Sequence, residues 1–359
     1  MEKYLQPIWD TNAIYDESGI IIGEEGEMRF LFTPLKNSVV VRDIHLEKTY
    51  QEGKDYLVTD TGIKRVKDGE LPFWNTDEYF SKTYNPPVML MLDPEKADIA
   101  FEEQRYIFHS EGADGARNYL AVSYQTEEKW QGYVPAQDEN AKPFVQALQA
   151  QKKAKIMFYG DSITVGCNAS GTEYGGNCNP YLQPWYRLVS NYLAETFNAE
   201  ITVENKAVGG WTVKNGQDAF DERILPHCKD MDLFVLAFGM NDTHTPEENY
   251  MQSIQEMMDK YLAENPNGNI LLVATMLPNC QCKGWRKNQE IFEGSLLKIQ
   301  QSYANNNVSV ARVTSVIFDM EKTGKPIRDW LANSVNHPTD FCVRIYAQVI
   351  LQTLLGLYS

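Results

Sequence analysis

Ile156-Met157-Phe158-Tyr159-Gly160-Asp161-Ser162-Ile163-Thr164 sets a short apolar run directly against turn residues, an acid and a hydroxyl. Such a run, bounded by turn residues, reads as a buried strand. Helical periodicity then returns from Pro184 to Phe197. The same alternation continues outward toward the C-terminus. Ile201–Val203, Leu233–Ala237, Ile270–Ala274 and Val308–Ala311 are strand-like, with helical stretches between most of them. Thr245-Pro246-Glu247-Glu248 predicts a capping box with proline at the first helical position. Met251, Ile254, Met258, Tyr261 and Leu262 then recur on one face of that helix. Strands alternating with helices imply an α/β fold, a parallel sheet with helices on both sides, whose ligands bind beyond the carboxyl ends of the strands.

Outward in the other direction the pattern changes. Gly19–Gly23, Met28–Phe32, Ser38–Val41, Asp55–Val58, Val88–Leu92 and Tyr119–Tyr124 are short β-branched or aromatic runs separated by turn residues. Many short strands without a long amphipathic helix predict an all-β sandwich, jelly-roll-like in type. Gln137–Pro143 is polar and marks the boundary, and a helix at about 143–152 bridges to the second domain. The expected division is therefore an accessory β domain over 1–145 and an α/β domain over 146–359.

Composition excludes several classes of function. The chain has 359 residues and 43% hydrophobic residues, enough to fill two cores. Its 33 Lys and Arg face 49 Asp and Glu, for a formal charge of -16, and that field repels nucleic acid and disfavours anionic membrane. The first residues lack the apolar run of a signal peptide, which predicts a cytoplasmic protein. All six cysteines (167, 178, 228, 280, 282 and 342) fall in the C-terminal part, so a disulfide-stapled N-terminal domain is excluded and reduced thiols are the simpler reading. Cys280-Gln281-Cys282 has no second pair at zinc spacing, so no metal is expected.

Polar groups gather where the predicted strands end. Ser162 projects from a strand end near a helix N-terminus, where unpaired backbone N–H groups can stabilise a negative oxygen. Asn205–Thr212 contains the pair Gly209-Gly210, which lets backbone approach a ligand closely. Gly239-Met240-Asn241-Asp242 offers an uncharged amide donor suited to an oxyanion hole. With five histidines in the chain, candidates for a general base are few, and His337 stands beside Pro338 at a predicted loop-to-helix junction. Taken singly, each of these is an ordinary turn.

Together, in this order and spacing, they resemble the SGNH/GDSL hydrolase superfamily over roughly 155–350. The resemblance implies a flavodoxin-like three-layer domain with Ser162 as nucleophile and His337 as general base. The N–H groups of Ser162 and Gly210 and the Asn241 amide would form the oxyanion hole. It departs from the family at one point: the acid expected three residues before the histidine is Ser334 here. Ser334, Asp340 and Asp329 are the candidates for a third member, and a working Ser-His dyad is the expectation. A β-sandwich ahead of such a domain also resembles two-domain carbohydrate esterases, some of which use a dyad. Asp161, Tyr181, Trp185, Trp211, His244 and Trp285 lie near the motifs as possible substrate contacts.

The function these readings predict is a serine esterase that hydrolyses small acyl groups, acetyl above all, on a small-molecule or oligosaccharide substrate. No cofactor is implied. A lipase, lysophospholipase or thioesterase is the alternative within the superfamily, and an inactive carbohydrate-binding protein the alternative outside it. The N-terminal part, which carries no nucleophile–base motif, is expected to shape the acceptor side and supply no catalytic group.

Overall fold

The computed structural model describes residues 2–86, 89–304 and 306–357. Before residue 153 the described strands are β1 (Ala13–Ile20), β2 (Glu27–Arg29), β3 (Val40–Asp43), β4 (Tyr56–Val58), β5 (Gly62–Arg65), β6 (Phe80–Ser81), β7 (Met89–Met91), β8 (Tyr106–Phe108) and β9 (Tyr119–Gln125). Their ladders are antiparallel and form three three-stranded sheets, β1-β9-β3, β2-β5-β4 and β6-β8-β7. Of the predicted run Val88–Leu92, Met89–Met91 is strand β7, and Val88 lies outside the described residues.

The largest departure from expectation in this half is β1. It begins at Ala13 and carries Asp16-Glu17-Ser18, a polar stretch that a hydrophobic-run reading passes over. Glu17 and Ser18 are buried all the same, because each has partners. Glu17 accepts from Leu31 N–H at 2.9 Å and from the Tyr124 hydroxyl at 2.6 Å, and Ser18 Oγ donates to the Asp329 carbonyl at 2.6 Å.

After the helix Lys142–Gln151, close to its predicted span, come β10 (Lys153–Gly160), β11 (Glu200–Asn205), β12 (Leu233–Ala237), β13 (Asn269–Val273) and β14 (Asn307–Ala311). They form one parallel sheet in the order β11-β10-β12-β13-β14. All of β12 and nearly all of β13 is buried, as a sheet covered on both faces requires. From β10 the chain crosses first to one neighbour and then to the other, so the carboxyl end of β10 is the switch point where such sheets open a crevice. Ser162 stands there.

Two helix starts differ from the sequence reading. Pro246 is the N-cap of Glu247–Glu264 rather than its first residue. With Thr245 one residue outside the cap no capping box forms, and its hydroxyl donates to the buried Asp242 at 2.8 Å. The last helix starts at Asp340 with Thr339 as N-cap, two residues after Pro338.

That last helix, Asp340–Leu355, is buried along almost its whole length. The N-terminal chain covers it: Arg344 donates to the carbonyls of Tyr15 (2.7 Å) and Asp16 (3.0 Å), and Gln348 to those of Tyr4 and Gln6. One apolar cluster runs from Ile14, Val41 and Leu120 through Ile156 and Trp185 to Ile345 and Ile350. An ion cluster lies beside it: the fully buried Lys325 sits 3.0 Å from Glu17 and 3.1 Å from Asp329. The change from antiparallel to parallel sheet near residue 145 is therefore no break in the packing.

Candidate active site

Ser162 opens a single helical turn, Ser162–Val165, directly beyond β10. Its Oγ lies 2.8 Å from His337 Nε2, 175 residues away in sequence. Both side chains are buried, at 4% and 7% exposure, so their hydrogen bond is shielded from bulk water. His337 ends a tight loop, Asn333–His337, shaped by one amide: Asn333 Oδ1 accepts from the backbone N–H groups of Val335 (3.1 Å), Asn336 (2.9 Å) and His337 (2.9 Å).

The three turns that hold Ser162, Gly210 and Asn241 are tied together by two buried carboxylates. Asp161 accepts from Ile163 N–H at 3.0 Å and, across the strand ends, from Met240 N–H at 3.3 Å. Asp242 accepts from Val213 N–H at 3.0 and 3.2 Å, just past the glycine pair. Asn241 Nδ2 donates to the Trp211 carbonyl at 3.0 Å. Burial pushes the Asp161 carboxyl up to about 7, against the two backbone bonds that favour its charge. Burial likewise pushes Asp242 up to about 6, against Thr245 and Val213.

Several expected residues stand elsewhere. Asp161 is a cap and a tie between turns, buried next to Ser162. Trp185 is wholly buried; its Nε1 donates to the Ile163 carbonyl at 3.1 Å, so it is the floor under the Ser162 turn. Trp211 is half-buried against Tyr159, with Arg223 over its ring. Trp285 is half-buried, and its carbonyl accepts from Thr243 Oγ1 at 3.1 Å, which holds it near the Asn241 turn. His244 is exposed and 3.4 Å from Lys287 Nζ, and Tyr181 is exposed on the loop that comes after the Ser162 turn.

None of the three candidates for a third member meets the imidazole. Ser334 has φ +66 and spends its carbonyl on Asn279 Nδ2. Asp340 Oδ1 accepts from Ser170 N–H at 3.0 Å, and Asp329 is committed to Lys325 and to Ile20 N–H. The atom at His337 Nδ1 is Glu111 Oε2, at 2.8 Å. Glu111 lies after β8, in the half expected to supply no catalytic group. Asn168, another residue the motifs did not mark as part of the site, joins the same cluster, with its amide 2.8 Å from Nδ1. Burial acts to raise the Glu111 carboxyl, but the hydrogen bond and charge of His337, with Asn333 and His109 behind them, outweigh it and leave the group below its ordinary value.

A nucleophilic hydroxyl bonded to a base, beside turns rich in N–H donors, can attack an acyl carbonyl and hold the resulting oxyanion. The GDSL-like lipase/acylhydrolase family model matches residues 158–341, just over half of the chain. No curated protein matches the sequence. Among solved structures, similar ones include Axe2, an acetylxylan esterase from Geobacillus stearothermophilus (20% identity, 56% of this chain and 94% of that one, TM-score 0.45). Another is LAE5, an alpha/beta hydrolase enzyme from the metagenome of Lake Arreo, Spain (17% identity, 57% and 97%, TM-score 0.45).

Proposed function

Since the chain belongs to the GDSL-like lipase/acylhydrolase family, we propose that it is a serine esterase that removes short acyl groups, acetyl above all, from carbohydrate. The observation that carries the chemistry is the 2.8 Å bond between Ser162 Oγ and His337 Nε2 at the switch point of the sheet. Ser162 Oγ attacks the acyl carbonyl carbon while Nε2 takes its proton. The N–H groups of Ser162 and Gly210 receive the oxyanion with the Asn241 amide, which has two hydrogens and gives one to Trp211. The intermediate collapses as Nε2–H protonates the departing sugar oxygen. Water, deprotonated by the same nitrogen, then frees the acid and restores Ser162.

One feature supports the carbohydrate reading. Trp211 and Trp285, both half-buried, flank the Asn241 turn and suit the apolar face of a sugar ring.

The test is acetate release from p-nitrophenyl acetate and from a panel of acetylated oligosaccharides, for wild type and Ser162→Ala. The variant should lose at least about 10⁴-fold in kcat on both with its fold unchanged. Substantial turnover by pure Ser162→Ala removes the nucleophile. A wild type that cleaves the aryl ester but no oligosaccharide keeps the esterase and removes the carbohydrate.

A further inference from the structure

We propose that Glu111, from the N-terminal β region and outside the segment the family model matches, is the acid that orients His337 and stabilises its protonated form. It is a positioning residue, acting on substrate only through the imidazole, and the assignment rests on the Ser162–His337 reading above.

The geometry is specific. Glu111 Oε2 lies 2.8 Å from Nδ1, the ring nitrogen that Ser162 does not use, so Nδ1–H donates to the carboxylate and Nε2 is left free to accept the serine proton. The carboxylate is held from behind as well. Asn333 Nδ2 donates to Oε1 at 3.0 Å, so the amide that shapes the histidine's loop also grips the acid. His109 Nδ1 donates to the Asn333 carbonyl at 3.0 Å, which turns its Nε2 toward Glu111 Oε1 at 3.8 Å.

Asn168 is the rival partner for Nδ1. With its oxygen toward the ring, that oxygen would stand 2.6 Å from Glu111 Oε2, two acceptors face to face. In the opposite orientation its nitrogen donates to Glu111 Oε2 at 2.6 Å and lies 2.8 Å from His337 Nδ1, and its oxygen accepts from Gly112 N–H at 3.2 Å. A carboxylate 2.8 Å from Nδ1 only accepts, so Nδ1 carries the proton and donates to Glu111, and the Asn168 amide donates to the same carboxylate.

The backbone is built for this approach. A Cβ on Gly115 would fall 2.9 Å from the Ala332 carbonyl oxygen and 2.1 Å from that of Ser110. Only glycine lets the Glu111 loop lie against the loop that carries His337.

Steady-state kinetics on p-nitrophenyl acetate across pH, with thermal melts, test the assignment in Glu111→Gln, Glu111→Asp and Asn168→Ala. Glu111→Gln keeps the size and removes the charge. Its side chain is 53% exposed, so the loss in kcat should fall below the roughly 10⁴-fold of a buried triad acid, at about 10²–10³-fold, with KM little changed. The acid limb of kcat/KM should move to lower pH. The other groups around the pair (Asp161 and Ser162 at the ring; His109, Asn168, Asn333 and Cys167 at the carboxylate) are unaltered and cannot produce that shift. Glu111→Asp should recover part of the loss, and Asn168→Ala should cost less than Glu111→Gln. Activity of Glu111→Gln within about threefold of wild type at every pH, or a loss only in melting temperature, overturns the assignment. Activity surviving in Ser162→Ala instead removes the Ser-His reading itself.

Discussion

The two halves of this chain divide the work unequally. The α/β half, from Lys153, places Ser162, Gly210 and Asn241 at the ends of adjacent parallel strands. Those positions follow from topology alone, because a parallel sheet delivers all its strand ends to one edge. The β half delivers nothing by regular topology. It brings Glu111 to His337 on a loop and pins that loop with Asn333, Asn168 and a glycine contact. It also roofs the last helix and buries Glu17 against Lys325. A half that carries no sequence motif can therefore still complete a site, provided it shares the core of the half that does.

Deleting the β half tests that lesson most severely. A chain starting at Ala141 would expose the last helix and the apolar cluster that now spans both halves, and it would lack Glu111. It should show no cooperative melt and no aryl-acetate hydrolysis. A folded, active fragment would break the comparison outright and restore the β half to an accessory role.

A smaller blow falls on the join. Lys325→Met leaves Glu17 and Asp329 buried without their cation, which should cost about 3–5 kcal/mol by chemical denaturation while kcat of the folded protein stays near wild type. A loss below about 1 kcal/mol would mean that this ion cluster contributes little to holding the halves together.

The smallest effect lies wholly within the α/β half. Asp161, at about 7 when folded against an ordinary 3.8, holds its proton more tightly in the native state than in the unfolded chain. The stability this contributes is complete below about pH 4 and is lost as pH rises through 7. Asp161→Asn has no such titration, so the stability of wild type relative to the variant should fall between pH 4 and 7, by about 1–3 kcal/mol. A constant difference across that range would show that Asp161 is ionised throughout. The slope comes chiefly from the burial of Asp161, so Glu111→Gln should leave most of it intact.

The α/β layer order, the strand-end places of Ser162, Gly210 and Asn241, and the junction that holds His337 were legible in the chain. Each follows from a short local pattern, an apolar run ending in turn residues, and local patterns survive translation into structure. The capping box at Thr245 failed because the helix starts one residue later than expected, with Pro246 as its N-cap. Strand β1 is only half legible because its Glu17 and Ser18 are buried by partners more than 100 residues away. Trp185 reads as a sugar platform because sequence does not say which side of a turn an aromatic ring occupies.

The third member of the site shows the limit most clearly. Ser334 in place of the usual acid told that the carboxylate, if there was one, came from elsewhere, and Asn333 beside it was the one local hint that the loop is held differently. Among 49 acidic residues, nothing in sequence marks Glu111. The chemistry of the strand ends was written in the chain, because a few contiguous residues create each turn. The partner of His337 Nδ1 was decided by tertiary structure alone, because it depends on two loops 226 residues apart meeting at 2.8 Å.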